Sequence, residues 1–133
     1  MDFLEIICTG NELLDGSISD TNSKFVAQQL RPWGLKISRI TLVADDPSAI
    51  IRAVHEAAAR SRHILVSGGL GPTSDDLTLE SVAASLGRKL IWSRSAKSNV
   101  VKRLNRLGRR PLNEGHKKQM LIPEGAMVLP NLE

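Results

Sequence analysis

Residues 68–78 read Gly68-Gly69-Leu70-Gly71-Pro72-Thr73-Ser74-Asp75-Asp76-Leu77-Thr78. They follow the apolar run His63–Ser67, which predicts a short buried strand. They precede apolar residues at helical spacing, which predict a helix over about residues 75–86, ended by Gly87. The stretch is therefore predicted to connect a strand to a helix, and we call residues 68–76 the glycine turn.

The composition of the glycine turn predicts an anion site. Glycines let backbone N–H groups approach a ligand closely, and the N-terminus of a helix favours an anion. The carboxylates of Asp75 and Asp76 would repel a bare phosphate, so they predict a bridging cation. The turn therefore indicates a phosphate-bearing small molecule handled with a divalent metal such as Mg²⁺.

The rest of the chain alternates strands and helices. Strands are predicted over residues 3–8, 36–43, 63–67 and 89–92, and a last one at Met127-Val128-Leu129. A first helix is predicted from about 21 to 31, with Val26, Leu30 and Trp33 on one face, and a second from Asp46-Pro47 through Ala58. A further helix is predicted around Val100, Leu104 and Leu107, and a helical turn near 114–120. This alternation predicts an α/β fold with parallel strands and helices on both faces of the sheet.

A second polar loop follows the first predicted strand. Residues 9–22 contain Thr9, Gly10, Asp20 and Asn22, and also the carboxylates Glu12 and Asp15. In open parallel sheets, ligands bind outside the carboxyl ends of the strands. If the first and third strands are neighbours, this loop and the glycine turn line one pocket.

With both loops placed, the chain resembles the molybdopterin-binding, molybdenum-cofactor biosynthesis domain family, and especially its CinA-like amino-terminal domains. The resemblance rests on the glycine motif, on Thr9-Gly10-x-Glu12-Leu13-Leu14-x-Gly16 with Thr21-Asn22, and on Gln119-x-x-x-Pro123-Glu124-Gly125-Ala126. It implies a three-layer α/β/α sandwich with a mostly parallel sheet. It also implies a metal-dependent nucleotide pyrophosphatase that hydrolyses an ADP-ribose-like phosphoanhydride, working as a dimer or trimer.

The resemblance assigns roles to particular residues. Asp76 is the catalytic candidate and metal ligand, and Asp75 is a second catalytic candidate. The expected substrate-binding residues are Gly68, Gly69, Gly71, Pro72, Thr73, Ser74, Thr78, Thr9, Gly10, Asp20 and Asn22. Lys117, Lys118 or an Arg of the basic helix would supply positive charge.

Simpler roles remain open for several of these side chains. Thr73-x-x-Asp76 fits a helix capping box, and Asp75, Asp20 and Asn22 also suit helix N-termini. Glu12 and Asp15 fit solvated loop positions. A module that binds molybdopterin or a nucleotide without turnover is the alternative function.

Length and composition limit the class of protein. The 133 residues, 41% of them hydrophobic, predict one domain over residues 1–133. The single cysteine, Cys8, excludes an internal disulfide and indicates a reducing compartment, with the thiol buried as a small apolar group. No apolar segment is long enough for a membrane span, so we expect a cytoplasmic protein.

The positive charge is concentrated late in the chain. Residues 94–118 contain nine Lys or Arg side chains and one acid, Glu114. The segment lacks interleaved aromatic residues for base stacking, which disfavours nucleic acid. A solvated helix face or a contact with an acidic partner is the preferred interpretation, and a domain whose basic segment docks on a partner is a third functional hypothesis.

The resemblance also bears on the end of the chain. The family continues after its last strand into a Gly-Thr-Ala-Pro-Gly loop, whereas this sequence stops at Asn131 followed by Leu132-Glu133. This predicts a domain truncated at its C-terminus, with residues 132–133 as a cloning-site remnant. We therefore expect residues 109–131 to be weakly anchored.

Overall fold

A computed structural model describes residues 4–109 and 111–130 of the chain. The predicted strand start at Phe3, the basic side chain of Arg110, the stop at Asn131 and the suggested cloning remnant at residues 132–133 lie outside the described residues.

The main sheet has three parallel strands, as predicted. They are β1 (Leu4–Thr9), β2 (Ile37–Val43) and β3 (His63–Ser67), in the order β2-β1-β3. The central strand β1 is buried from its second residue to its last. The prediction that β3 is a buried strand is wrong, because this strand lies at the edge of the described sheet, none of its residues is buried and Leu65 is 37% exposed.

Helices connect and cover these strands. They are α1 (Asn11–Leu14), α2 (Asn22–Leu30), α3 (Pro47–Ala58), α4 (Thr78–Ser85), α5 (Arg94–Arg106) and α6 (Glu114–Lys118). A 3₁₀ turn extends α2 before Gly34 ends it in the left-handed conformation. The side chain of Trp33 is 81% exposed, so its predicted place on the apolar face of this helix is wrong.

Alternation along β1 sends its side chains to two different layers. Ile7 packs in the core against α3, chiefly on Ile50 and Val54. Cys8 points to the opposite face, where its sulfur lies 3.2 Å from the hydroxyl of Ser23 in α2. Because successive strand residues face opposite sides, one buried strand joins two helical layers. The predicted three-layer sandwich is confirmed.

The start of α3 follows the prediction from Asp46-Pro47. The Asp46 carboxylate accepts a hydrogen bond from the backbone N–H of Ala49 at 2.7 Å, and Pro47 occupies the first helical turn. The buried stripe of this helix consists of Ile50, Ala53, Val54 and Ala57, whereas Ala58 at its end is exposed.

Replacing Asp46 with Ala is expected to lower the free energy of unfolding by about 1 kcal/mol, because the N–H of Ala49 loses its acceptor. Urea denaturation measures this loss. Asp46→Asn keeps an acceptor oxygen and serves as the control. An equal loss in both variants would contradict a role of the cap in stability.

A separate antiparallel pair joins β4 (Leu90–Trp92) and β5 (Leu121–Pro123). The predicted strand at Met127-Val128-Leu129 is wrong, since residues 124–130 form no strand and Met127 is 84% exposed. The chain turns directly after β5 through Gly125, whose φ of +81° favours glycine. This turn ends strand pairing before residue 127.

None of the helices in the described residues combines the length and apolar character that crossing a membrane requires.

Candidate functional site

The two predicted loops meet at the carboxyl ends of β1 and β3. The hydroxyls of Thr9 and Thr78, both buried, lie 2.8 Å apart. A cleft of about 140 Å³ lies between the loops. It is lined by Cys8, Thr9, Glu12, Leu13, Ile18, Ser19, Asp20, Thr21, Asn22, Ser67 and Gly68. The two loops therefore adjoin as predicted, although Gly68 is the one residue of the glycine turn that lines this cleft.

Close approach explains the first two glycines of the glycine turn. Gly68 and Gly69 have φ values of +96° and +58°, which L-residues rarely adopt. A Cβ on Gly68 would lie 2.2 Å from the carbonyl oxygen of Thr9. A Cβ on Gly69 would lie 2.3 Å from the hydroxyl oxygen of Thr78. The glycines therefore let the turn close on both threonines.

The helix after the turn begins later than predicted. Helix α4 starts at Thr78, its N-cap position is Leu77, and no side chain caps it. The predicted start near residue 75 is therefore wrong. Asp75 and Asp76 belong to the irregular turn, and the capping-box alternative for Asp76 does not apply.

Asp76 instead closes the turn through Thr73. Both the backbone N–H and the hydroxyl of Thr73 donate to Oδ2 of Asp76, the former at 2.9 Å. The Asp76 N–H donates back to the Thr73 carbonyl at 3.3 Å. A Cβ on Gly71 would lie 2.6 Å from the same Oδ2, so Gly71 also permits this closure.

The surroundings of Asp76 keep its side chain ionised. The hydrogen bond from the Thr73 hydroxyl lowers the pKa of Asp76, and its effect outweighs partial burial. The backbone of Thr73 and Gly71 and the charge of Lys118 lower this pKa further. Both hydrogen bonds from Thr73 are accepted by Oδ2, so neither of them occupies Oδ1. Asp76 thus offers an anionic oxygen to a ligand.

The neighbouring side chains are held less firmly. Asp75 is exposed and accepts a hydrogen bond from the hydroxyl of Ser74 at 3.4 Å. Pro72 is also exposed. These side chains belong to the same turn as Asp76, but they do not share its hydrogen bonds to Thr73.

Helix α6 holds the glycine turn from outside. The ammonium of Lys118 donates to the carbonyls of Thr73, at 3.3 Å, and of Asp76, and it pairs with Glu80 at 3.1 Å. The amide of Gln119 donates to the Leu70 carbonyl at 3.1 Å.

Gly115 allows α6 to approach, since a Cβ there would lie 2.2 Å from the Pro72 carbonyl oxygen. Sequence reasoning named Lys118 only as a source of positive charge and missed Gly115. Lys117, the other candidate, pairs with Glu114 instead. The contacts of Lys118 with the turn span more than forty residues of sequence, so no local pattern could reveal them.

In the first loop, Asp20 takes a capping role beside the cleft. Its Oδ1 accepts a hydrogen bond from the Ser23 N–H at 3.0 Å. Burial opposes ionisation of Asp20, but the hydrogen bonds from Ser23 and Cys8 outweigh it and lower the pKa of Asp20. Burial raises the pKa of the Cys8 thiol, consistent with the predicted buried apolar role. Asn22 joins α2 to β3 through a 2.9 Å hydrogen bond to the Ser67 hydroxyl.

The remaining loop residues have mainly local contacts. The N–H of Gly10 donates to the Val43 carbonyl at 3.0 Å, which continues the pairing of β1 with β2. Glu12 is exposed at the cleft, and Asp15 accepts a hydrogen bond from the Ser17 N–H at 2.8 Å. Within residues 4–109 and 111–130, no three His, Cys, Asp or Glu side chains converge as a possible metal site.

Replacing Gly69 with Ala is expected to cost more stability than replacing Gly87 with Ala. Both glycines have left-handed φ values, +58° and +61°, so each variant loses about 1–2 kcal/mol from the backbone. Only at position 69 does the new Cβ meet the Thr78 hydroxyl, whereas position 87 has open space. Urea denaturation of the two variants isolates the steric cost. Equal losses would contradict the close packing of the turn.

Comparisons with known proteins agree with this architecture. Residues 5–127 match the family model described as "Probable molybdopterin binding domain". A CinA-like protein of Anaeromyxobacter dehalogenans is 43% identical over 128 residues, which is 96% of this chain and 31% of that protein. A CinA-like protein of Prochlorococcus marinus is 39% identical over 128 residues, again 96% of this chain and 30% of the relative. The chain thus spans about a third of the length of these relatives.

Solved structures agree with the family match. The protein CinA from Thermoplasma acidophilum superposes with a TM-score of 0.86 at 30% identity, over 98% of this chain and 76% of that one. The molybdopterin biosynthesis enzyme MoaB of Thermus thermophilus superposes with a TM-score of 0.61 at 20% identity. The match covers 92% of this chain and 79% of that one, which shows a shared fold. The chain therefore belongs to the molybdopterin-binding domain family and, within that family, to the CinA-like proteins.

Proposed function

We propose that this domain binds a phosphate-bearing nucleotide or pterin at the glycine turn and hydrolyses an ADP-ribose-like phosphoanhydride with a divalent metal. The products of that hydrolysis are AMP and ribose 5-phosphate, with one water consumed. The observation that carries the proposal is the ionised, half-buried carboxylate of Asp76 within a turn of free backbone donors.

The backbone of the turn supports anion binding. Within the described residues, the N–H groups of Gly69, Leu70 and Ser74 donate to no acceptor. Unpaired backbone donors in a glycine-rich turn suit phosphate oxygens. The hydroxyls of Thr73 and Thr78 are already engaged with Asp76 and Thr9, so we assign phosphate binding to the backbone. Gly68, Gly69 and Gly71 then act by leaving room for the closed turn.

The donor set fits a magnesium ion shared with substrate. Mg²⁺ is usually held by one or two carboxylates, with phosphate oxygens and waters completing its shell. Asp76 provides one such carboxylate through Oδ1, and Asp20 provides a second ionised carboxylate on the neighbouring loop. When bound, the metal would neutralise phosphate charge and lower the barrier to attack by water.

The chain itself contributes a fixed frame for this chemistry. Thr73 holds Asp76 ionised and oriented, and Lys118 holds the carbonyls behind it. Such positioning accounts for much of the catalysis of phosphoryl transfer. Asp75, exposed and bound to Ser74, remains a second candidate for a charged contact with substrate.

Binding without turnover is the second candidate function. It is supported by the match of residues 5–127 to the family model described as "Probable molybdopterin binding domain", a description that names binding and no reaction. It is also consistent with family members that are named for molybdopterin biosynthesis. Molybdopterin is then the ligand of the same turn.

Incubation with ADP-ribose, with and without Mg²⁺, tests the two candidates. Release of AMP that requires the metal supports hydrolysis. Saturable binding of ADP-ribose or a pterin phosphate by calorimetry, without AMP, supports the binding module. Neither turnover nor binding would contradict both. Light scattering in the same buffer tests the predicted dimer or trimer.

A further inference from the structure

A second cavity among the described residues shares no lining residue with the cleft between the two loops. It is a groove of about 670 Å³ between α5 and the segment formed by residues 121–128, and Leu70 and Pro72 of the glycine turn also line it. Its aliphatic lining includes Val100, Leu107 and Met127. Leu107 and Met127 are exposed, at 54% and 84%. We call this cavity the basic groove, because four of its lining side chains are cationic.

The charge of the basic groove is unbalanced. Lys102, Arg103, Arg106 and Arg109 line it, and all four are exposed. Residues 94–113 contain no acidic side chain. Within the described residues, none of the four cations forms an ion pair. A surface that combines unpaired cations with exposed aliphatic side chains calls for a ligand with the opposite charge and its own apolar groups.

We propose that the basic groove binds an acidic amphipathic polypeptide segment of a partner protein, with carboxylates against the arginines and aliphatic side chains against Leu107 and Met127. In helix-in-groove docking of this kind, the groove recognises apolar residues of the partner at helical spacing. Methionine suits such a surface because its flexible side chain adapts to different apolar partners. The proposal concerns a surface outside the glycine-turn cleft and does not depend on catalysis.

The lining favours polypeptide over nucleic acid. Single-stranded nucleic acids are bound by stacking of bases on aromatic side chains, together with cations. No Phe, Tyr or Trp lines the basic groove in the described residues. The cations stand beside leucine, valine and methionine instead, and these match the apolar face of a helix.

Fluorescence anisotropy with a labelled synthetic peptide tests the proposal on the whole chain. The peptide has about four helical turns, with Glu on one face and Leu on the other. A second peptide has the same composition in scrambled order, and a labelled oligouridylate serves as the nucleic-acid probe. We expect the amphipathic peptide to bind more tightly than the other two, and to bind more weakly as salt is raised.

Matched variants on one helix locate the binding. R103Q/R106Q removes two charges that line the groove, and R94Q/K97Q removes two exposed charges on α5 that do not. We expect at least about tenfold weaker peptide binding for the first pair and less than about threefold for the second. Met127→Ser, at an exposed position outside any helix or strand, is also expected to weaken binding.

Four outcomes would overturn the proposal. They are equal losses in the two charge variants, equal binding of the scrambled peptide, tighter binding of oligouridylate than of peptide, or no peptide binding at all. AMP release from ADP-ribose by Met127→Ser distinguishes the groove from the glycine turn. We expect that activity, where present, to match the unmodified chain.

Discussion

Replacing Asp76 with Asn is expected to lower metal-dependent AMP release from ADP-ribose by about 100-fold or more. The amide oxygen of Asn can still accept the hydrogen bonds from Thr73, so the turn stays closed. The amide nitrogen then occupies the position of Oδ1, and it can neither carry negative charge nor ligate Mg²⁺. The variant therefore removes the ionic role of the residue and keeps its structural one.

Initial rates over a range of Mg²⁺ concentrations measure this loss. Urea denaturation should give a midpoint close to that of the unmodified chain. Asp75→Asn is the matched control, because Asp75 contacts only the Ser74 side chain in the described residues, and we expect it to lose less than about tenfold. Unchanged turnover in the Asp76 variant would assign Asp76 to closing the turn alone.

Replacing Arg60 with Ala is expected to lower the Tm by about 10 °C or more. Arg60 binds the carboxylate of Glu5 through two hydrogen bonds, of 3.1 and 2.9 Å, and Ser61 donates a third at 3.0 Å. Glu5 is only 2% exposed, so the variant leaves a buried carboxylate without its counter-ion. Arg52→Ala, at an exposed position of α3, is the control and should change Tm little.

The same pair predicts how stability depends on pH. The hydrogen bonds from Arg60 lower the pKa of Glu5 below its ordinary value, against the effect of burial. The contribution of the Glu5–Arg60 pair to the stability of the fold is therefore complete above the ordinary pKa of Glu5. It is lost as the pH falls through the lowered pKa. In Arg60→Ala, protonation removes the unpaired buried charge of Glu5. The difference in Tm between this variant and the unmodified chain should therefore become smaller at acid pH. A difference that is constant with pH would contradict this account.

The sequence predicted the elements whose signals are local. The apolar run of β1, the N-cap and proline of α3 and the glycine that ends α2 all act within a few residues. The position of the two loops could also be predicted, because parallel strands bring their carboxyl ends to one edge of the sheet. These signals were sufficient for the three-layer fold and the pocket between the loops.

The features that were predicted wrongly, or not predicted, have a common physical origin in contacts between distant parts of the chain. The ion pair of Glu5 could not be predicted because its partner Arg60 lies 55 residues away. The start of α4 was placed too early because Thr73 and Asp76 imitate a capping box, whereas Lys118 binds their carbonyls and holds them in a turn that is not helical. Apolar character at Met127 predicted a strand, but the turn at Gly125 prevents pairing there.

The contacts of Lys118 also bear on the order in which the molecule is assembled. The hydrogen bonds that set the glycine turn join residues 69 positions apart, between Thr9 and Thr78, and 45 positions apart, between Thr73 and Lys118. Pairings over such separations carry a large entropic cost of loop closure and form late in folding. On the ribosome, the sheet and α3 are complete long before residue 118 is synthesised. The glycine turn is therefore among the last parts of the molecule to become rigid, after the core that supports it has already formed.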